Sequence, residues 1–375
     1  TIRPGRGAAG VALTELSPGS HRRLTRRRHH LAMTDTTPAT ASTDGADPGD
    51  DDLATVGWLH RRAGLGLGPE EVSARAGRSD LVDDLLDGPT GATPADPWDG
   101  RTLDASGEGS RDAVQGWLRH LLTSPTTAAD RHTLLLHGWL VSSLGVSPAP
   151  TMAGQIRLYN AVGRGSFPDL LRAVSVDPAM LVYLDGRTSR RGAPNENYAR
   201  ELLELFALGT GAVDEPVPYT EDDVRAAAAA LTGWVVDRRT GEARFAPARH
   251  DDTRRTLLGV RGVHDLDGVI DAIAGHPEHP RFVARRIATE YVGTPFVDGG
   301  HAEPDREVVD SLAAAYLDGD RSLRAVVRAA LEHVVDGRRS TGAHESIVSS
   351  PVVWLAAAVR TLGLQPAAAL RAARG

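Results

Sequence analysis

Beyond residue 52 the apolar positions recur mostly at the three- and four-residue spacing of helices. Leu53 to Ala63 reads as one helix, stopped by the run Gly64-Leu65-Gly66-Leu67-Gly68. A second opens on Pro69, with Glu70 and Glu71 behind it, as a helix N-terminus prefers. The same spacing predicts helices near 110–123, 128–144, 150–162, 167–174 and 177–185, most of them bounded by Pro, Gly or Ser. It continues through 194–208 and 220–232, the clearest pair, and then 265–274, 279–291, 304–318, 321–334 and 348–362. The pattern changes between 233 and 260, where Gly233-Trp234-Val235-Val236 and Ala243-Arg244-Phe245 read as two short strands around a tight turn. Strands and helices do not alternate, which argues against parallel α/β. The expected fold class is mostly α, a single large helical domain over residues 53–375 with a small β-hairpin near 233–258.

Residues 1–52 lack this periodicity and are rich in Thr, Ala, Gly, Asp and Pro, a composition that predicts disorder. Their charge is split: residues 1–33 carry seven Arg and one Glu, residues 34–52 six Asp and no base. The two blocks cancel, so the net charge of −7 belongs to the remainder. A body of that sign is not built to bind nucleic acid, which needs a basic face. The run His21-Arg22-Arg23-Leu24-Thr25-Arg26-Arg27-Arg28 has the look of a twin-arginine export signal, but polar residues follow it where a hydrophobic stretch is needed. Met33 is an alternative start. No stretch is long and apolar enough to predict a membrane span. A cytoplasmic location is the expectation.

Composition narrows the chemistry further. There is no cysteine, which removes thiolate metal sites and cysteine nucleophiles. There is no lysine either, all 42 basic residues being arginine. Schiff-base chemistry and a phosphate-binding P-loop lysine are therefore excluded. The glycines at 64–68 follow a predicted helix rather than a strand, so they read as a helix-ending turn and not as a dinucleotide fingerprint.

Within the helix at 194–208, Asn197, Arg200, Glu201 and Glu204 fall within an arc of about 100°. Tyr198, Leu202, Leu205 and Phe206 form one apolar flank, and Ala199, Leu203 and Ala207 cover the rest. A helix apolar nearly all round is usually buried. Its polar stripe must then be paired internally or face a ligand or metal. Two carboxylates on adjacent turns can share a metal or shift each other's proton affinity. An ordinary solvated face, with Arg200 paired to Glu196 or Glu204, stands beside that reading.

Other candidates are scattered. His137 lies in Leu134-Leu135-Leu136-His137-Gly138-Trp139-Leu140, on a helix with no evident solvent face, and is either a hydrogen-bonded core residue or a ligand. His250, Asp251 and Asp252 follow the hairpin on a loop, where functional residues concentrate. Asp177, before a proline, reads as a helix cap. Asp185 ends its helix in a Gly- and Arg-rich loop leading into the polar stripe. His276 and His279 each precede a proline and are expected on the surface.

The runs Asp177 to Asp185, Asn195-Glu196-Asn197-Tyr198-Ala199-Arg200-Glu201-Leu202-Leu203-Glu204-Leu205-Phe206-Ala207-Leu208-Gly209, Ala230 to Trp234 and His250-Asp251 together resemble the bacterial family called domain of unknown function 1800. The resemblance starts near Leu59-His60-Arg61-Arg62-Ala63-Gly64 and runs through Arg281-Phe282-Val283-Ala284-Arg285-Arg286 to Ser350-Pro351-Val352. It carries no general activity with it. It implies frequent export, and a partner from the family called domain of unknown function 1501. It also implies a pocket shared by His137, Asn197, Glu201, Glu204, His250 and Asp251. Where that family commonly has a Trp-His-Asn-His-Phe segment, this chain keeps the first histidine as His137 and has Trp139 in place of the second.

Two functions compete at this point. One is an enzyme whose divalent metal (Mn, Fe or Zn) is held by His137, Glu201, Glu204 and His250. There Glu201, Glu204 or Asp251 acts as base, with Arg200, Asn197 and Asp185 meeting the substrate. The other is a non-catalytic helical scaffold that binds a partner protein through a satisfied polar network.

Overall fold

The computed structural model describes residues 48–365 apart from 89–93, 212–215, 238, 295, 298–299, 302, 342–346 and 348. The expectations for residues 1–47, Met33 included, lie outside the described residues. Helix α1 (Pro48–Ala63) begins five residues before the expected domain boundary at 53. Then come α2 (Pro69–Ser73), α3 (Leu81–Asp87), α4 (Gly107–Thr123), α5 (Thr127–Trp139), α6 (Ala149–Val162), α7 (Phe167–Ser175) and α8 (Pro178–Tyr183). Helix α9 (Glu196–Glu201) runs on without a break as a π-helix, Leu202–Ala207, and α10 (Glu221–Ala230) follows. The second half holds α11 (Leu266–Ala274), α12 (Glu278–Ile287) continuing as a π-helix over Ala288–Val292, α13 (Arg306–Asp318), α14 (Leu323–Thr341) and α15 (Pro351–Thr361).

Local chemistry starts these helices where the spacing placed them. The side chains of Ser106, Ser166, Asp177, Asn195, Asp265, Asp305 and Ser350 each accept from a backbone N–H in the first turn that follows. Thr220 and Asp223 form a reciprocal capping box at α10. The predicted hairpin is present as β1 (Trp234–Val236) and β2 (Ala243–Phe245), with Trp234 opposite Phe245. Two further antiparallel ribbons accompany it, β3 (Arg255–Leu257) with β4 (Val260–Val263), and β5 (Phe296–Val297) with β6 (Gly300–His301). The chain is mostly α with small hairpins, as its spacing predicts. No described helix is long and apolar enough to cross a membrane.

The main core draws on Leu59, Leu136, Phe167, Leu170, Met180, Leu202, Leu203, Ile287 and Tyr316, all almost fully buried. Helix α12 packs against α13, α14 and the π segment of α9. That placement brings the C-terminal halves of α9 and α12 beside the end of α5.

Candidate functional site

Where α5, α8, α9 and α12 meet, a cavity of about 390 Å³ is lined by Trp139, Tyr183, Glu201, Leu205, Phe206 and Arg286, together with Gly138, Val141 and Leu184. Trp139, almost fully buried, is part of its wall. The indole packs on Phe167 at 4.6 Å and Phe282 at 6.0 Å between ring centres. The Arg286 guanidinium lies over that indole, 5.8 Å from the ring centre, within cation–π range.

Glu201 and Arg286 bring opposite charges to this cavity. Among the described residues Glu201 has no hydrogen bond and no ion pair, although the residue is only partly exposed. Burial raises its proton affinity, the neighbouring Glu204 charge adds to the rise, and Arg200 opposes it. Arg286 makes one long contact, its Nη2–H to the Gly138 carbonyl at 3.4 Å, and no described carboxylate ion-pairs with it. Desolvation of its guanidinium lowers its proton affinity, and the charge of Glu290, which is paired with Arg131, partly opposes that. The Tyr183 hydroxyl likewise has no partner among the described residues, and the buried Trp139 Nε1–H has no acceptor.

Both charged residues stand just before a π-helical turn, over 202–207 and 288–292 respectively. Such turns recur at functional sites because the wider turn re-aims side chains. Here it turns Leu205 out of the expected apolar flank, leaving it 53% exposed at the cavity wall, while Leu208 is fully buried. His279 holds the π turn of α9. Its Nδ1–H donates to the Ala207 carbonyl at 2.9 Å, and Nε2 accepts from the Tyr316 hydroxyl at 3.0 Å. The expectation that His279 lies on the surface is therefore corrected: it is fully buried. Pro280 sits in the first turn of α12, where proline is tolerated.

The remaining predicted residues occupy different places. Glu204 lies next to Glu201 but does not line the cavity; its Oε2 accepts from the Tyr219 hydroxyl at 3.4 Å. Arg200 points outward and binds Glu221 of α10 through two bonds of 2.7 and 2.8 Å. The solvated-face reading holds for that side chain. Asn197 is exposed in the first turn, its N–H donating to the Asn195 cap. Asp185 is exposed with φ +57°, and its carbonyl accepts from Asn195 Nδ2, which makes it a turn residue. His250 donates from Nδ1 to the Thr232 carbonyl at 2.9 Å and packs edge-on against Phe245. For Asp251, burial acts to raise the carboxyl, but hydrogen bonds from Thr253 and Arg255 outweigh it and hold it at about 2. A carboxylate so firmly ionised is a weak base.

His137 opens onto a separate cavity, with its ring edge-on to Trp117 at 5.1 Å. Helix geometry explains the separation, since residues 137 and 139 diverge by about 200°. Those two positions thus serve different cavities. The expected set of His137, Glu201, Glu204 and His250 does not converge, and no group of three or more His, Asp or Glu side chains among the described residues is arranged to hold a metal ion.

A sequence profile described as "Protein of unknown function (DUF1800)" matches residues 58–374, most of the chain. The chain belongs to this family. No curated protein and no solved structure matches it. In this DUF1800 protein the family-like segment at 195–209 supplies Glu201 to the cavity, and the segment at 281–286 supplies Arg286. The sequence reading missed Arg286, Tyr183 and Trp139 as cavity residues. Arg286 gave a faint signal, as a charge following Val283-Ala284 on a helix whose other arginines pair with Asp310 and Glu278.

Proposed function

We propose that the cavity between α5, α8, α9 and α12 binds an anionic, partly apolar small molecule, and that Glu201 exchanges a proton with it. Arg286 holds the carboxylate or phosphate of that molecule, the group a guanidinium fits best. Its apolar body rests against Trp139, Tyr183 and Phe206. The observation that carries this reading is the pair of opposite charges at one cavity, each without an ion-pairing partner among the described residues. Glu201 is partly buried, so leaving its charge unpaired costs free energy. Arg286 is exposed, and a bound anion there gains a charge-assisted partner at the cavity mouth. A cavity of this size with aromatic walls and a few polar groups is typical of small-molecule sites. The raised proton affinity of Glu201 brings it closer to the working range of a general acid or base.

Titration calorimetry with phenyl phosphate and 4-hydroxybenzoate tests the reading. Arg286→Gln is expected to weaken binding about ten- to a hundredfold, the value of a charge-assisted hydrogen bond. Glu201→Gln should keep the anion but remove the pH dependence of 4-hydroxybenzoate binding around neutral pH, where that ligand's own charge does not change. Equal affinity for wild type and Arg286→Gln would refute the assignment.

A second reading keeps a divalent ion (Mn, Fe or Zn) on Glu201 and Glu204, because the Glu204 charge bears on Glu201. Elemental analysis of untagged protein checks it: metal is expected near one equivalent and lost in the Glu201→Ala, Glu204→Ala double variant while the fold survives. Unfolding of that variant with no metal found favours the scaffold reading instead.

A further inference from the structure

A second cavity, of about 420 Å³, lies on another face of α5, between α4, α5 and α6, with Val352 of α15 at one edge. Its walls include Trp98, Trp117, Leu121, Met152 and Ile156, and among the described residues no carboxylate or guanidinium lines it. A recess of this size, walled by aromatic and aliphatic side chains with a few polar groups, has the make-up of a small-molecule site.

The aromatic wall is fixed in place. Trp98 donates from Nε1 to the Ala113 carbonyl at 3.0 Å, and the Arg157 guanidinium lies 5.2 Å from its ring centre. Arg157 is in turn held by both oxygens of Asp96, at 3.1 Å each. Gly116 lies so close to Trp98 that a Cβ there would come within 2.5 Å of the indole. The hydrogen bond, the guanidinium over the ring and the close fit against Gly116 together hold the indole in place. Two polar groups remain at the wall. The His137 imidazole makes no hydrogen bond among the described residues; its Nδ1 is buried away from the cavity surface, which leaves Nε2 as the ring nitrogen that can meet a ligand. Ser143 Oγ accepts from the Gly145 N–H at 3.1 Å and keeps its own hydrogen. Burial lowers the proton affinity of His137, so the ring is neutral at pH 7 and Nε2 is either a donor or an acceptor according to the tautomer.

We infer that this cavity binds an uncharged molecule of two or three fused rings carrying one hydroxyl group, stacked against Trp98 and Trp117 with the hydroxyl toward His137. The size follows from volume, since a cavity of about 150 Å³ accommodates one benzene ring. The absence of charge follows from a wall whose described residues contain none. A single hydroxyl, both donor and acceptor, matches a neutral imidazole.

Titration calorimetry of the full chain with 2-naphthol tests this. Saturable binding below ~1 mM is expected, with 2-naphthoate weaker by about tenfold or more because its charge would be buried unpaired. His137→Phe should weaken 2-naphthol by about three- to tenfold, the value of one neutral hydrogen bond. Val114→Trp and Ser143→Trp, both at exposed positions on the rim, should abolish binding while circular dichroism shows the helices intact. Arg286→Gln should leave 2-naphthol unaffected, which keeps this test separate from that of the Glu201 cavity. No saturable binding to wild type overturns the inference. So does affinity unchanged in both rim variants, or affinity lost in Arg286→Gln.

Discussion

Lowering the pH from 7 to 4.5 should destabilise this protein through His279, and the size of the effect follows from its surroundings. Burial pushes the imidazole down to about 4, against the partial support of the Ala207 carbonyl; Arg321 and His276 add to the depression. An unfolded histidine titrates near ~6.5. The unfolded chain therefore binds the proton first, and stability is complete above about 6.5 and lost as pH falls toward 4. Integrating between pH 7 and 4.5 gives a loss of about 2–3 kcal/mol from this one residue. His132, held at about 4 by burial while bonded to the Gly163 carbonyl, adds a similar slope. Asp177 acts in the opposite sense, because burial raises its carboxyl to about 6. A difference measurement removes those backgrounds. Urea unfolding of wild type and His279→Gln, followed by circular dichroism across the pH range, supplies it. The variant is expected to lose about 1–3 kcal/mol at pH 7, because Ala207 and Tyr316 lose an ideal partner. The gap to wild type should then shrink by about 2–3 kcal/mol on reaching pH 4.5. Two parallel curves would refute the reasoning, since His279 would then not titrate between the folded and unfolded states.

Gly209, at φ +80° with the Phe282 ring about a Cβ contact away, ends the π turn that carries the cavity. Gly209→Ala should cost about 1–2 kcal/mol of stability or more, from the left-handed backbone alone, read by the same urea assay. Glu201→Gln removes a partly buried charge with no described partner, so its stability should equal the wild type or exceed it by up to about 1 kcal/mol. A clear loss would reveal a structural partner. Asp251 is held at about 2, below an unfolded carboxyl, so its stabilisation is present above about pH 4 and fades toward 2. Asp251→Asn should therefore lower the melting temperature at pH 6 and leave it unchanged at pH 2.

The helices were legible because two signals agreed: apolar spacing and capping chemistry at the same boundaries. Ser166, Asp177, Thr220 and Asp265 each cap a helix that the spacing also begins there. Helix α3 escaped notice because Leu81 to Asp87 is only two turns long, too short for a period to show. The strands β3 and β4 were hidden by exposed residues such as Val260 and Arg261, which break the alternation of a half-buried strand. His279 was misplaced for another reason. A proline after a histidine reads equally as a loop or as the first turn of a helix, and only the buried acceptors on α9 and α13 decide between them.

For the site, spacing identified the helix that faces the cavity but not the partner across it. The polar arc at 197–204 assumed a uniform 100° step, and the π turn from Leu202 breaks that step just where it matters. Arg200 and Glu201, one ordinary helical step apart and ahead of that turn, already diverge, Arg200 outward to Glu221 and Glu201 to the cavity. The π turn moves the residues after it, so Glu204 stops beside the cavity and Leu205 is exposed. A π turn depends on what its freed carbonyls can bond, and here the Ala207 carbonyl is met by His279, 72 residues further along the chain. The same tie seats α12 and, through it, Arg286. Glu201 and Arg286 thus depend on one buried imidazole for their relative position, and no local pattern in either segment encodes that. If this is correct, His279→Gln should weaken anion binding at the Arg286 cavity while the fold persists, and unaltered binding would show that packing alone sets the site.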